Sequence, residues 1–510
     1  MQLLKNNFWF GPLLSGLLAF VSVGQINFYT SWLFYIPLFI SISSVTPAVT
    51  FKKGFLFGFV LAAIGFFWMI PGAERFTGYS IFYGIGVFLV SVIFFSLYNA
   101  IVLYSFALVK TRNDKRVSLF LNSLLIASFI CIGEKLMTYI SRGFPWFDLH
   151  SGSGLADNLY AIQPASVFGV HILSFVVVMV NYIAAALIVK RSFAKLYLPA
   201  ALVVGYLLFG VLLMKLFNQS VEKKQPFNIA ILDENIPPDI KWDDNNGNLL
   251  VQRLLDLNKS AVALKPAVIL WSESAIPWTY KKDDDLVNEI LKITNPSKVT
   301  HIMGINTAIT ENEVFNSAYC ILPGGNVAGR YDKQYLLALI EMPLNGFIMP
   351  FFSSKGFVAK NDVRHSAPLL TPYGKAGVLI CNEAAVPAAA SSMVKQGAEY
   401  LCNMSNDGWF NDTYIVRLHF HYARLRAVES RKDLAISCNN GYSGLIKASG
   451  DIEAMKRSEE PFVEMVTMEP NNHITLASKF PNLFILVCLL YLLTIIAINV
   501  ANKYKSVKAK

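Results

Sequence analysis

The amino-acid sequence predicts a polytopic α-helical membrane domain joined to an α/β layered domain outside the membrane. Three observations predict it. Apolar stretches long enough to cross a bilayer, about 17–25 residues each, recur through the first 217 positions and return once near the C-terminus. Between them lies a polar block in which short β-branched runs alternate with amphipathic helical stretches. Only 15% of the 510 residues are charged and 54% are hydrophobic, against about 25% charged in an ordinary soluble domain. That balance excludes a purely cytosolic enzyme and a disordered chain.

The apolar runs give eight expected spans: 8–23, 32–49, 54–70, 81–109, 117–133, 167–189, 196–216 and 483–500. The first follows Lys5 as the core of a signal peptide would, but no small-residue cleavage site comes after it, so it is read as a retained helix. Alternate loops carry Lys52 and Lys53, then Lys110, Arg112, Lys115 and Arg116, then Lys190, Arg191 and Lys195. The tail adds Lys503, Lys505, Lys508 and Lys510, whereas the opposite loops offer only Arg75, Lys135 and Arg142. By the positive-inside rule both termini are expected in the cytoplasm of a bacterium and the polar block in the periplasm, outside the inner membrane. The expected organisation is a membrane domain over 1–217 with seven transmembrane helices, an outer domain over 225–470, a C-terminal transmembrane helix over 483–501 and a basic cytoplasmic tail over 502–510. The formal charge of +10 divides the same way. Positions 225–470 hold 23 basic and 28 acidic residues, a net of −5, which leaves +15 for the membrane anchors. A mildly acidic outer domain argues against nucleic acid as a partner.

In the outer domain, strands are expected at 228–232, 267–271, 301–305, 376–380 and 400–404. A hairpin is expected over 315–322 and 327–331, around the turn Pro323-Gly324-Gly325-Asn326. Helices are expected at 248–264 and 385–396, the latter stopped by Gly397. The six cysteines show no paired spacing, so neither a disulfide framework nor a zinc motif is expected. The seven histidines suggest no metal cluster, because His419 and His421, two apart on a helix, point their rings in different directions.

Polar residues follow two of these apolar runs, and a third ends the hairpin. Glu273 comes after A-V-I-L-W, Lys333 ends the hairpin, and Cys381 follows A-G-V-L-I. Ligands and catalysis gather at the carboxyl ends of strands in open α/β sheets. A thiol, a carboxylate and an ammonium supply a nucleophile, a base and an oxyanion partner. Taken singly, each has a plainer reading: a cysteine after a strand is usually a small buried hydrophobe, and a lone Glu or Lys there is usually a solvated rim residue.

The ordered Glu, Lys and Cys set resembles the nitrilase (carbon–nitrogen hydrolase) superfamily, and the flanking spans resemble its membrane branch, the apolipoprotein N-acyltransferases. The quoted resemblances run through nearly the whole chain. Gly143-Phe144-Pro145-Trp146 is similar to the family's G-F-P-W, and Gly54-Phe55-Leu56-Phe57-Gly58 through Phe67-Trp68 to its third-span pattern. Asn235-Ile236 with Lys241-Trp242 resembles N-I…K-W, and 271–277 resembles W-P-E-x-A-I-P. Tyr331-Asp332-Lys333, Ile380-Cys381-Asn382-Glu383 and 405–410 are similar to Y-x-K, I-C-Y-E and S-N-D-A-W-F. Arg424-Leu425-Arg426-Ala427-Val428-Glu429 and Asn439-Asn440-Gly441 resemble the closing R-x-R-A-x-E and N-N-G. Two departures stand out. Asn382 replaces the tyrosine after the nucleophile, and 336–343 lacks the family's Pro-Phe-Gly.

The resemblance implies an α-β-β-α nitrilase-like sandwich for the outer domain. It implies Cys381 as nucleophile, Glu273 as general base and Lys333 as oxyanion partner. It gives Glu341 and Glu383 supporting roles at the site, with Asn382 as the variant position, and sets Trp242 and Trp409 near the substrate's path. The reaction it implies moves an acyl chain from a phospholipid, through a thioester on Cys381, to the N-terminal amine of a diacylglyceryl-cysteine on an apolipoprotein. The implied partners are therefore phospholipid, lipoprotein precursor and membrane lipid. No cofactor and no metal are expected. The apolar loop 344–352, with Phe347, Phe351 and Phe352, is expected to dip into lipid or lid the site, although an ordinary buried segment fits it equally. A membrane-tethered amidase would use the same three residues. A non-catalytic binding or transport protein would leave them degenerate and would carry charges inside its spans.

Overall fold

The computed structural model of the chain describes residues 4, 7–72, 81–110, 116–237, 240, 243, 246–338, 340–342, 358–408, 410 and 413–508, with the backbone alone for 116–117 and 503–508. Its first part is a bundle of apolar helices. Six of the described helices are long and apolar enough to cross a membrane: Pro47–Gly65, Ile81–Val109, Ser118–Ile140, His171–Val189, Phe193–Ser220 and Leu483–Asn502. They make this a membrane protein.

The first two expected spans are present as apolar helical segments, but both are shorter and interrupted. Phe10–Gly24 and Phe28–Ser41 are the two shorter apolar helices. Fifteen residues at 1.5 Å each reach only about 22 Å, less than the roughly 30 Å of a bilayer core. The breaks have local causes. Phe20–Gly24 is wound as a π-helix, Ile26 is left-handed at φ 51°, and Asn27 caps the next turn by accepting from Thr30 N at 3.0 Å. Asn181 then holds the broken segment inside the bundle, accepting from Tyr35 N and donating to the Ser31 carbonyl, each at 3.0 Å. Side-chain amides bonded between helices are a common adhesive in apolar bundles.

The second and third expected boundaries need correcting for a related reason. Pro47 stands in the first turn of its helix and Thr46 accepts from Val49 N at 3.4 Å, so the helix begins seven residues before position 54. Lys52 and Lys53 therefore lie within this helix, not in a loop. Lys53 is buried and donates to the Ser41 carbonyl at 2.8 Å.

The second part is a two-sheet sandwich. One sheet runs Phe462–Met468, Phe227–Asp233, Val268–Leu270, Thr300–Ala308 and on to the hairpin Ser317–Ile321 with Val327–Asp332. The other runs Ile452–Lys456, Ser443–Ile446, Leu434–Asn439, Tyr400–Asn406, Gly374–Ile380 and Leu369–Thr371. Inner strands such as Phe227–Asp233 and Leu434–Asn439 are buried along nearly all their length because both faces are covered. One core joins Ile229, Ile231 and Leu270 of the first sheet to Val378, Leu401 and Ile436 of the second. Helices Gly247–Ala263 and Asp285–Thr294 contribute apolar residues to that core, as does Pro387–Lys395, giving four α-β-β-α layers.

The helix Tyr414–Ser430 ties the sandwich to the bundle. Arg424 donates to the carbonyls of Gly450 and Ala156, and Glu429 accepts from Val170 N at 2.9 Å. Tyr414 donates to the Gly65 carbonyl at 2.9 Å. Gly143 accepts from Ala338 N at 2.9 Å, and its φ of +92° leaves no room for a side chain: a Cβ would stand 2.7 Å from Ala338. The G-F-P-W and R-x-R-A-x-E segments thus serve docking.

Candidate active site

Three strand ends deliver the chemistry. The strand Gly374–Ile380 ends in a 3₁₀ turn that opens with Cys381 at φ 53°. A non-glycine residue in that left-handed region stores about 1–3 kcal/mol. The turn is held from two sides: the Cys381 carbonyl accepts from Asn403 at 3.3 Å and from His419 Nε2 at 2.9 Å. Val268–Leu270 runs out into the turn that carries Glu273, where the buried Glu234 accepts from Ser272 N. Val327–Asp332 delivers Lys333, whose backbone N–H donates to the Asn316 carbonyl at 2.9 Å.

Lys333 is fully buried, with its ammonium 3.1 Å from Glu273 Oε1 and 3.0 Å from Glu341 Oε1. Burial opposes its charge, but Glu273, Glu341 and Cys381 overcome that and hold the lysine well above its ordinary value. Lys333 is thus a fixed cation. Cys381 is buried beside these groups. Burial pushes its thiol well up and Glu273 adds to that, while Lys333 pulls it down. The lysine alone would favour a thiolate, but its two carboxylate partners cancel much of its field, so Cys381 rests as a thiol. A thiol at rest needs a base to take its proton before it reacts.

Glu383 does not hydrogen-bond Lys333. It accepts from Tyr331 Oη, from the backbone N–H groups of Gln334 and Tyr335, and from Ile380 N at 2.7 Å. It thereby clamps the lysine loop to the nucleophile turn. Burial pushes its carboxyl up to about 7, against the pull of those donors. Asn382 donates to the Tyr335 carbonyl at 2.9 Å across the same junction. Trp242, Trp409, Phe347, Phe351 and Phe352, with the loop 344–352, lie outside the described residues.

Two further contributors have no signature in the sequence. Asn316 donates to both Glu273 Oε1 and Glu341 Oε1, at 2.9 and 3.2 Å. His419 spans Asp407 Oδ1 at 2.8 Å and the Cys381 carbonyl at 2.9 Å. A carbonyl only accepts, so Nε2 carries a proton, and a bare Nδ1 against a carboxylate would be repelled; the ring is therefore an imidazolium. Burial disfavours that charge, but Asp407, the carbonyl and Glu273 outweigh it and raise the histidine above its usual value. A raised histidine contributes stability below pH ~6.5 that is lost as pH rises through its folded value. His419→Gln should lower the rate of Cys381 acylation about 10- to 100-fold through misplacement of the turn, and should also remove this alkaline decline. A wild-type rate and pH profile in the variant would discard the positioning role.

Beside Cys381 opens a cavity of about 860 Å³. Its walls are almost wholly apolar and come from both halves of the chain: Trp68, Phe82, Val90, Phe94, Phe144 and Trp146 from the bundle, Cys381, Asn382, Tyr414 and His419 from the sandwich. An edge-to-face pair links the halves, Trp68 to Phe410 at 5.3 Å, and Trp68 also meets Trp146 within the bundle at 6.1 Å. A buried thiol beside an apolar chamber suits a hydrocarbon ligand.

Comparison with known proteins agrees with this division. Residues 15–183 match the apolipoprotein N-acyltransferase N-terminal domain, and residues 235–460 match the carbon–nitrogen hydrolase domain. An apolipoprotein N-acyltransferase of Geobacter metallireducens is 27% identical over 437 residues, covering 83% of this chain and 82% of that one. One from Allorhizobium ampelinum is 30% identical over 365 residues, covering 67% and 66%. A crystal structure of Saccharomyces cerevisiae Nit3, a member of branch 10 of the nitrilase superfamily, is 18% identical with a TM-score of 0.38, covering 51% of this chain and 95% of that one.

Proposed function

The chain belongs to the apolipoprotein N-acyltransferase family, and on that premise we propose that it moves an acyl chain from a phospholipid to the N-terminal amine of an apolipoprotein's diacylglyceryl-cysteine. The observation that carries this reading is the meeting of Cys381 with an apolar chamber of about 860 Å³ walled by both halves of the chain.

In the first half-reaction the Cys381 sulfur attacks the ester carbonyl and Glu273 takes the thiol proton. The developing oxyanion lies against the Lys333 ammonium, whose charge needs no rearrangement at that moment. The C–O bond breaks, the glycerol oxygen leaves with the proton from Glu273, and a thioester remains on Cys381. In the second, the lipoprotein amine attacks the thioester and gives a proton to Glu273. The C–S bond breaks and the sulfur recovers that proton. A lysophospholipid and an N-acylated lipoprotein result, one after the other, from a single site. The chamber would hold the acyl chain while the two partners exchange. The basic stretches at 110–116 and 190–195 and the basic tail support cytoplasmic termini and a periplasmic sandwich, with the membrane domain over 1–217, the catalytic domain over 225–470, the last span over 483–501 and the tail over 502–510.

Purified protein mixed with phospholipid and no acceptor should gain one fatty-acyl mass on the peptide containing Cys381, and should lose it when a diacylated lipopeptide is added. No adduct, together with ammonia released from small amides, would replace this reading with that of a membrane-tethered amidase.

A further inference from the structure

In the helical bundle the fold gathers three donors that are scattered in sequence. Glu134 comes from the helix Arg116–Ile140, His150 from the loop that follows, and His171 from the first turn of His171–Val189. One ligand atom from each lies within 4.8 Å of the others. Glu134 and His171 are both more than nine-tenths buried. The spacing, 16 and then 21 positions, matches no short metal motif, and for this reason the sequence alone suggests no cluster.

Two details point to an ion. Glu134 Oε1 accepts from Ser151 N at 2.7 Å, but Oε2 has no hydrogen-bond partner, and neither has His171 Nδ1. These two atoms face each other at 3.8 Å. A protonated imidazole paired with a carboxylate would close to about 2.7–2.9 Å. Two ligands on one tetrahedral zinc, with bonds of about 2.0–2.2 Å, stand a little over 3 Å apart. Among the described residues, no lysine or arginine forms a salt bridge with Glu134, although a buried carboxylate needs a cation. The second detail is the surroundings. His150 Nε2 stands 3.4 Å from the Thr138 hydroxyl, which donates to Asp148 Oδ1 at 2.6 Å, so the loop carrying this imidazole is held to the helix of Glu134. A cavity of about 20 Å³ beside Glu134, lined also by Tyr35 and Ser151, has room for about one water.

We propose that Glu134, His150 and His171 hold a divalent transition metal, with zinc the best match, which staples the two helices to the loop between them. Two imidazoles and one carboxylate suit zinc and leave one position for water. The other cluster of this kind, Asp332, Asp362 and His365, differs on the decisive point. Arg330 and Arg364 already stand 2.9 Å from its two carboxylates, so its negative charge is answered.

Full-length protein, purified in detergent with zinc present and then dialysed, should carry about one zinc per chain by elemental analysis. Replacement by cobalt(II) should give the visible bands of a tetrahedral site. His150→Ala/His171→Ala should lose both signals, while His365→Ala keeps them. A strong chelator should lower the wild-type melting temperature and added zinc should restore it, a cycle to which a folded double variant is indifferent. If the double variant fails to fold, the wild-type stoichiometry and cobalt spectrum decide. No stoichiometric metal in the wild type, or equal metal in wild type and double variant, overturns the proposal.

Discussion

Cys381→Ala should abolish transfer of a labelled acyl chain to a diacylated lipopeptide, a loss on the order of 10³-fold or more. The fold should survive the change. Cys381 is buried and already left-handed at φ 53°, and alanine bears the same backbone cost there while losing one sulfur atom. The carbonyl bonds from Asn403 and His419 do not involve the thiol and should persist. Cys381→Ser tests the chemistry more sharply. It keeps a hydroxyl at the same place, but a hydroxyl holds its proton far more tightly than a thiol, and Glu273 is a weak base. The serine variant should therefore be as inactive as alanine, with melting close to wild type for both. Transfer by Cys381→Ala at an undiminished rate would eliminate the thioester. Retained transfer by serine alone would mean that the site activates its nucleophile more strongly than one carboxylate can.

The reach of the sequence follows from which interactions are local. Strands reveal themselves by composition, so the ends that carry Glu273 and Cys381 are legible from apolar runs, whereas Lys333 is legible only as the end of a hairpin whose second strand is half polar. Helix Ile81–Val109 coincides with its expected span because neither a charged residue nor a proline interrupts it. The second span reads as a full crossing because hydropathy averages over Pro37, and the breaks at Gly24 and Asn27 fall just outside the apolar runs, whereas the backbone responds to each one. Asn316 carries no motif; its importance arises only where the hairpin crosses the carboxylates. His419 stands out in the sequence only as half of a histidine pair, whereas its partners are Asp407 and a carbonyl 38 positions away. Such residues become visible only once the sheets have packed.

Lys333→Met should be the most damaging single change to both stability and activity, and its signature should depend on pH. The wild-type cluster places one ammonium 3.1 and 3.0 Å from two carboxylates in a buried site. Removing one partner from a buried ion pair costs about 3–5 kcal/mol, because the remaining charge stays without compensation. Here two carboxylates would remain, sharing only the Asn316 amide. Like charges so close cannot both stay ionised, so one of them should take up a proton and titrate upward. A carboxyl raised in the folded state contributes stability at low pH and loses it as pH rises through its folded value. The melting deficit of Lys333→Met should therefore be largest near pH ~8 and shrink toward pH ~5. In the wild type, Lys333 is held well above its ordinary value, so this cluster should add no such slope across the same window. Activity should not return with stability at low pH, since no ammonium faces the developing oxyanion whichever carboxyl holds the proton. Equal melting of variant and wild type near pH ~8 would show that the ammonium is not what balances Glu273 and Glu341. Recovered acyl transfer at low pH would show that Lys333 is not the oxyanion's partner.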